Sequence, residues 1–79
     1  MKVNIEYYAE LREKSNKEKE SISISHNNCK QLYTQLKKQY DFHLDWNQLG
    51  IAINHEIADW TQNLQEEDIV VFIPKVAGG

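Results

Sequence analysis

The stretch that decides the fold is Ile69-Val70-Val71-Phe72-Ile73-Pro74-Lys75-Val76-Ala77-Gly78-Gly79. β-Branched and aromatic side chains suit a pleated, half-buried surface, so Ile69–Ile73 predicts a central strand. Pro74 has no N–H to give to a sheet ladder, which predicts that pairing ends there. From Pro74 to Gly79 the chain has too little apolar bulk to anchor itself. It reads as a flexible arm that reaches about 20 Å when extended. Glycines lack Cβ atoms, so their backbone can enter a slot too narrow for any side chain. A buried-type strand that feeds through a proline into two glycines suits a terminal carboxylate delivered into another protein's active site.

Outward from that stretch, the chain alternates between sheet and helix signals. Lys2–Tyr8 has period two, with Val3, Ile5 and Tyr7 on the inward face. Ala9–Lys14 reads as a short helical turn with Leu11 in the core, and Ser15–Glu20 as a charged loop. Glu20–Ser25 alternates again, with Ile22 and Ile24 inward, and forms an antiparallel hairpin with the first strand. Asn28 is a good N-cap, and Gln31 three residues on completes a capping box. Cys29, Leu32, Tyr33, Leu36 and Tyr40 then form an apolar stripe, predicting one helix over Cys29–Tyr40 that lies across the sheet. Leu49–Ile53 is a third strand, Asn54-His55 a tight turn, and Glu56–Ala58 a short returning strand. The acidic turn Glu66-Glu67-Asp68 leads into the last strand. The order β-β-α-β-β-β predicts an α+β fold, a ubiquitin-like β-grasp roll with a mixed sheet of about five strands and one main helix on one face.

Composition narrows the function. With 79 residues the chain reads as one domain, 1–79, and 41% hydrophobic with 27% charged residues is ordinary for a soluble globular protein. The longest apolar run, Ile69–Ile73, is far short of the roughly 20 residues that cross a bilayer. Met1-Lys2-Val3-Asn4 lacks the apolar stretch of a signal peptide, so the cytoplasm and no membrane partner are expected. A single cysteine excludes an internal disulfide and a four-cysteine metal site. A net charge of −3 argues against nucleic acid as a partner. No lysine or arginine occurs between Lys38 and Lys75, while Asp41, Asp45, Glu56, Asp59, Glu66, Glu67 and Asp68 fall in that span. That acidic half is either a solvated face or a surface that steers onto basic partners.

Four segments carry a family resemblance across nearly the whole chain. They are Val3-x-Ile5-x-Tyr7-Tyr8-Ala9-x-Leu11-Arg12-Glu13, Ala52-Ile53-Asn54-His55-Glu56-Ile57-Ala58-Asp59, Leu64-Gln65-Glu66-Glu67-Asp68-Ile69-Val70 and Phe72-Ile73-Pro74-Lys75-Val76-Ala77-Gly78-Gly79. Their order and the chain length resemble the small subunit of molybdopterin synthase, a β-grasp sulfur carrier. Two positions depart from that pattern. Glu67 stands where glycine is usual, at a cost on the order of 1 kcal/mol if the turn needs positive φ. Lys75 replaces a second proline, which predicts a less stiff tail root.

The resemblance implies a carrier cycle. An E1-like adenylyltransferase activates the Gly79 carboxylate with ATP and magnesium, and a sulfur donor converts the acyl adenylate to a thiocarboxylate. The tail then enters the large catalytic subunit of the synthase, within a heterotetramer, where sulfur passes to cyclic pyranopterin monophosphate. No cofactor is bound stably and no metal is held by this chain. Gly79 is the reacting group, and Phe72, Pro74, Lys75, Val76, Ala77 and Gly78 form the partner-binding tail. The same chemistry could serve thiamine thiazole synthesis. A ubiquitin-like modifier joined to lysines, or a binding module with an idle tail, are the readings from other classes.

Other residues have plainer readings. Cys29 could carry a persulfide at a helix N-terminus, but its place on the apolar stripe favours packing. His26, His43 and His55 lack metal-ligand spacing. Trp46 and Trp60 read as core or edge packing. Phe72 joins them if it faces inward and anchors a partner if it does not. Asp59 and Glu56 read as solvated.

Overall fold

The Val3-x-Ile5 alternation builds β1, Lys2–Glu6, in a computed structural model that describes residues 1–75. Helix α1 (Ala9–Ser15) follows, then β2 (Lys19–Ser23), helix α2 (Cys29–Tyr40), a 3₁₀ turn (Trp46–Gln48), β3 (Leu49–Ile53), β4 (Glu56–Ala58) and β5 (Ile69–Pro74). The five strands form one sheet in the order β2-β1-β5-β3-β4. β1 and β5 run parallel, and the other neighbours run antiparallel. This is the expected mixed β-grasp sheet with its main helix on one face. The expected turn at Ala9–Lys14 is a full short helix inside the β1–β2 connection. The supposed loop Ser15–Glu20 begins in that helix, with Ser15 buried, and ends in β2.

α2 has the predicted bounds because its stripe and its cap agree. Cys29, Leu32, Tyr33 and Leu36 are buried against the sheet. Asn28 accepts the Gln31 N–H at 2.9 Å. The reciprocal half of the capping box is replaced, since the Asn28 N–H donates to His26 Nδ1 at 3.2 Å. Asn16 and Asp41 end the two helices with φ of 59° each. This left-handed conformation is one that short polar side chains tolerate.

The end of α2 is pinned to the sheet by one carboxylate. Glu20 Oε2 accepts hydrogen bonds from the Tyr7 and Tyr40 hydroxyls at 2.6 Å each, while Lys17 Nζ meets Glu20 Oε1 at 3.2 Å. Below this polar cluster lies an aromatic layer in which Tyr33 contacts Phe42, Trp60 and Phe72. Aromatic pairs of this kind add about 0.5–1.5 kcal/mol each beyond their area burial.

Candidate functional site

The site is the point where β5 leaves the sheet. β5 lies between β1 and β3, so its direction is fixed on both sides at Val70 and Val71. Val70 and Phe72 point to the helix side and are fully buried. Phe72 stacks on Trp60 at 5.7 Å between ring centroids and meets Tyr33 at 5.1 Å. It therefore offers no side chain to a partner, which corrects its place in the partner-binding tail. Its burial in the aromatic layer is the physical reason.

Pairing does not stop at Pro74. Pro74 sits opposite Leu49, and the next residue, Lys75, donates its N–H to the Gln48 carbonyl at 3.3 Å. Antiparallel ladders alternate between bonded and non-bonded pairs. Gln48–Lys75 is a bonded pair, so Leu49–Pro74 is a non-bonded one, and a proline nitrogen there faces away from β3. On its other side β1 pairs only as far as Val71, so no acceptor is deprived. Lys75 also places Nζ 3.5 Å from the Asn47 carbonyl. The root expected to be loosened by losing a second proline is instead bonded to the 3₁₀ turn. Val76, Ala77, Gly78 and Gly79 lie outside the described residues.

Beside the root is an apolar surface that the sequence reading missed. On the sheet face away from α2, Ala52 has Ile57 on one side and Val71 on the other, and Ile73 lies opposite Gly50. Ile57 is 82% exposed and Ile73 is 39% exposed. At the β1 side, Tyr8 is exposed and its hydroxyl donates to Glu6 Oε1 at 3.2 Å. The available signal was the run Ile69–Ile73 itself: a strand apolar at every position covers two faces, and a single helix covers one.

The remaining reactive side chains are structural. Cys29 is fully buried, its thiol donates to the Gln62 carbonyl at 3.2 Å, and burial together with the Asp68 charge pushes its pKa up to about 11. That opposes the thiolate a persulfide carrier needs. Asp59 is exposed and is held below the usual carboxylate range by bonds from the Thr61 N–H and hydroxyl. Among the described residues no group of histidine, cysteine or acidic side chains could hold a metal ion. Nor, among the same residues, is any helix long and apolar enough to cross a membrane. The acidic half is partly offset, because Lys2 meets Glu67 at 3.5 Å and Lys37 pairs with Asp45.

Fold and strand exit together define a ubiquitin-like β-grasp protein, the architecture shared by sulfur carriers and small protein modifiers. The chain belongs to the ThiS family, whose model matches residues 5–79. Among solved structures it is similar to a Pyrococcus furiosus protein described as molybdopterin converting factor subunit 1, at 23% identity and a TM-score of 0.77, covering 96% of this chain and 99% of that one. It is also similar to SAMP1 from Haloferax volcanii, at 15% identity and a TM-score of 0.77 over 100% of both chains. A third is a chain of the complex of subunits 1 and 2 of the molybdopterin-converting factor from Helicobacter pylori 26695, at 22% identity and a TM-score of 0.69 over 100% of both chains. At these identities the structural matches establish the fold. A search of curated proteins gives no significant sequence match.

Proposed function

We propose that the chain is a sulfur carrier acting as the small subunit of a molybdopterin synthase. The observation that carries the reading is the family match over residues 5–79, which takes in Gly78 and Gly79. In the proposed cycle the Gly79 carboxylate attacks ATP, with magnesium, on an E1-like enzyme and pyrophosphate leaves. Hydrosulfide, or an equivalent donor, then displaces AMP from the acyl adenylate. The product is a thiocarboxylate, a soft nucleophile tethered to a folded handle. Its sulfur is then passed to cyclic pyranopterin monophosphate in a large catalytic subunit.

The handle contributes shape. The open face with Ile57, Val71 and Ile73 adjoins the strand that leads to Gly79, so a partner seated there also receives the tail. The Helicobacter pylori relative, solved as a complex of subunits 1 and 2, supports a large-subunit partner of this type. Two other fates of the same carboxylate compete. The family assignment also accommodates a carrier for thiamine thiazole synthesis, and the likeness to a Haloferax volcanii structure described as small archaeal modifier protein 1 favours a protein modifier.

Mass spectrometry of the chain purified from sulfur-replete cells tests the reading. Replacement of one oxygen by sulfur at Gly79, in a chain that copurifies with a large synthase subunit, is the expected result. Isopeptide links to lysines would assign the modifier role instead, and copurification with a thiazole synthase would assign the thiamine pathway.

A further inference from the structure

Lys75 follows a proline yet stays in the ladder, and both of its acceptors, the carbonyls of Gln48 and Asn47, belong to the 3₁₀ turn Trp46–Gln48. That turn is braced from within and from behind. Gln48 Oε1 accepts the Asp45 N–H at 2.8 Å, and the Gln48 N–H donates to the Asp45 carbonyl at 2.9 Å. The Asp45 carboxylate in turn accepts from the Lys37 ammonium on α2. A continuous set of bonds therefore runs from the main helix, through the turn, to the last described residue.

We propose that Lys75 is a positioning residue: the turn at 45–48 fixes, through the Gln48 carbonyl, the direction in which the chain leaves the sheet toward Gly79. A tail that must thread a narrow slot loses less conformational freedom on insertion when its root is already held. A proline at 75 would restrict φ but could not make the bond to Gln48. Lysine supplies the N–H and a second donor in the ammonium. The turn thus acts as a bracket on the tail, at a distance from the reacting carboxylate. The functional half of this inference rests on the carrier reading; the structural half does not.

Amide hydrogen exchange on the full-length chain separates the two halves. The Lys75 amide of the wild type is expected to exchange about tenfold slower than its intrinsic rate. In the Asp45→Ala, Gln48→Ala double variant that protection should vanish. The Ile73 amide, paired with Gly50, should keep its protection and so report that the sheet is intact. A wild-type Lys75 amide that exchanges at its intrinsic rate, or one equally protected in the double variant, overturns the proposal.

With an activating enzyme that adenylates the chain, the double variant should raise KM for the carrier about threefold or more and leave kcat within about twofold, the signature of lost preorganisation. A fall in kcat at unchanged KM would overturn the positioning role. A protected and variant-sensitive Lys75 amide in a chain that no activating enzyme accepts supports the held root and overturns the carrier reading.

Discussion

Asn54, in the turn of the β3–β4 hairpin, holds Asp68, its Nδ2 donating to Asp68 Oδ1 at 2.9 Å. The same side chain accepts the Ile69 N–H through Oδ1 at 2.9 Å, and the residue sits at a φ of 53°. One asparagine thus shapes the turn and locks the start of β5. Asn54→Ala removes both bonds, strands an acceptor on a nearly buried carboxylate and puts alanine, which lacks the short polar side chain that eases the left-handed region, at a positive φ. The expected loss is about 2–4 kcal/mol of stability, read as a shift in the denaturant midpoint. Asn54→Gly, which keeps the backbone conformation, should lose about 1 kcal/mol less.

Glu67 has a φ of 68°, so the turn before β5 does adopt the conformation that the glycine of the family pattern would favour. Comparing Glu67→Gly with Glu67→Ala isolates that cost, because both variants lose the same contacts to Lys2 and Asn4. The glycine variant should be the more stable by about 0.5–1 kcal/mol, after allowing for the greater freedom of glycine in the unfolded chain. Equal stabilities would show that the turn accommodates a side chain without strain.

Glu20 gives the protein an acid limb. Burial works against its ionisation, but hydrogen bonds from Tyr40, Tyr7 and Lys17, with the Lys17 charge, prevail and hold the carboxyl below the usual range. A folded-state value below the unfolded one means that the stabilisation is fully present above the unfolded pKa, about 4.3 for glutamate, and is lost as pH falls through the folded value. Stability measured by denaturant titration should therefore fall from about pH 5 downward more steeply in the wild type than in Glu20→Gln. At neutral pH Glu20→Gln should already be the weaker protein, because Tyr7, Tyr40 and Lys17 lose a charged acceptor.

Ile57 tests the open face without touching the core. The side chain is 82% exposed, so Ile57→Lys should leave the unfolding midpoint nearly unchanged. If the face seats a large subunit, the same change should weaken that complex by about 1–3 kcal/mol, measured by titration calorimetry with the wild type as reference. Retained affinity would move the docking surface elsewhere.

How much of this was legible in the sequence differs from residue to residue. Helix α2 was readable to its ends because Asn28 and the apolar stripe lie within one local segment and agree. The turn at Asn54-His55 was readable for the same reason, and both residues do adopt positive φ. Pro74 was misjudged because its effect depends on register against β3. A proline interrupts a ladder only where its nitrogen would have been a donor, and local sequence does not say which pairs are bonded. Phe72 was uncertain because Val70 and Phe72 are as apolar as Val71 and Ile73, so alternation alone cannot tell core from open face. The exposed Ile57 emerges only from the sheet order, which puts β4 at an edge and leaves its outer side bare. The expectation for Gly79 stands on the family pattern, beyond the described residues.

The parallel pairing of β1 with β5 has a consequence for synthesis. The central slot of the sheet is filled by residues 69–74, which are synthesised after β1 and β3, so the sheet cannot close on the ribosome until β5 clears the exit tunnel. Closing the sheet is then a late event joining distant parts of the polypeptide, the kind of topology that folds slowly relative to local structure. A truncated product that lacks this strand therefore cannot complete its sheet, and leaves the edges of β1 and β3 unpaired where β5 would lie.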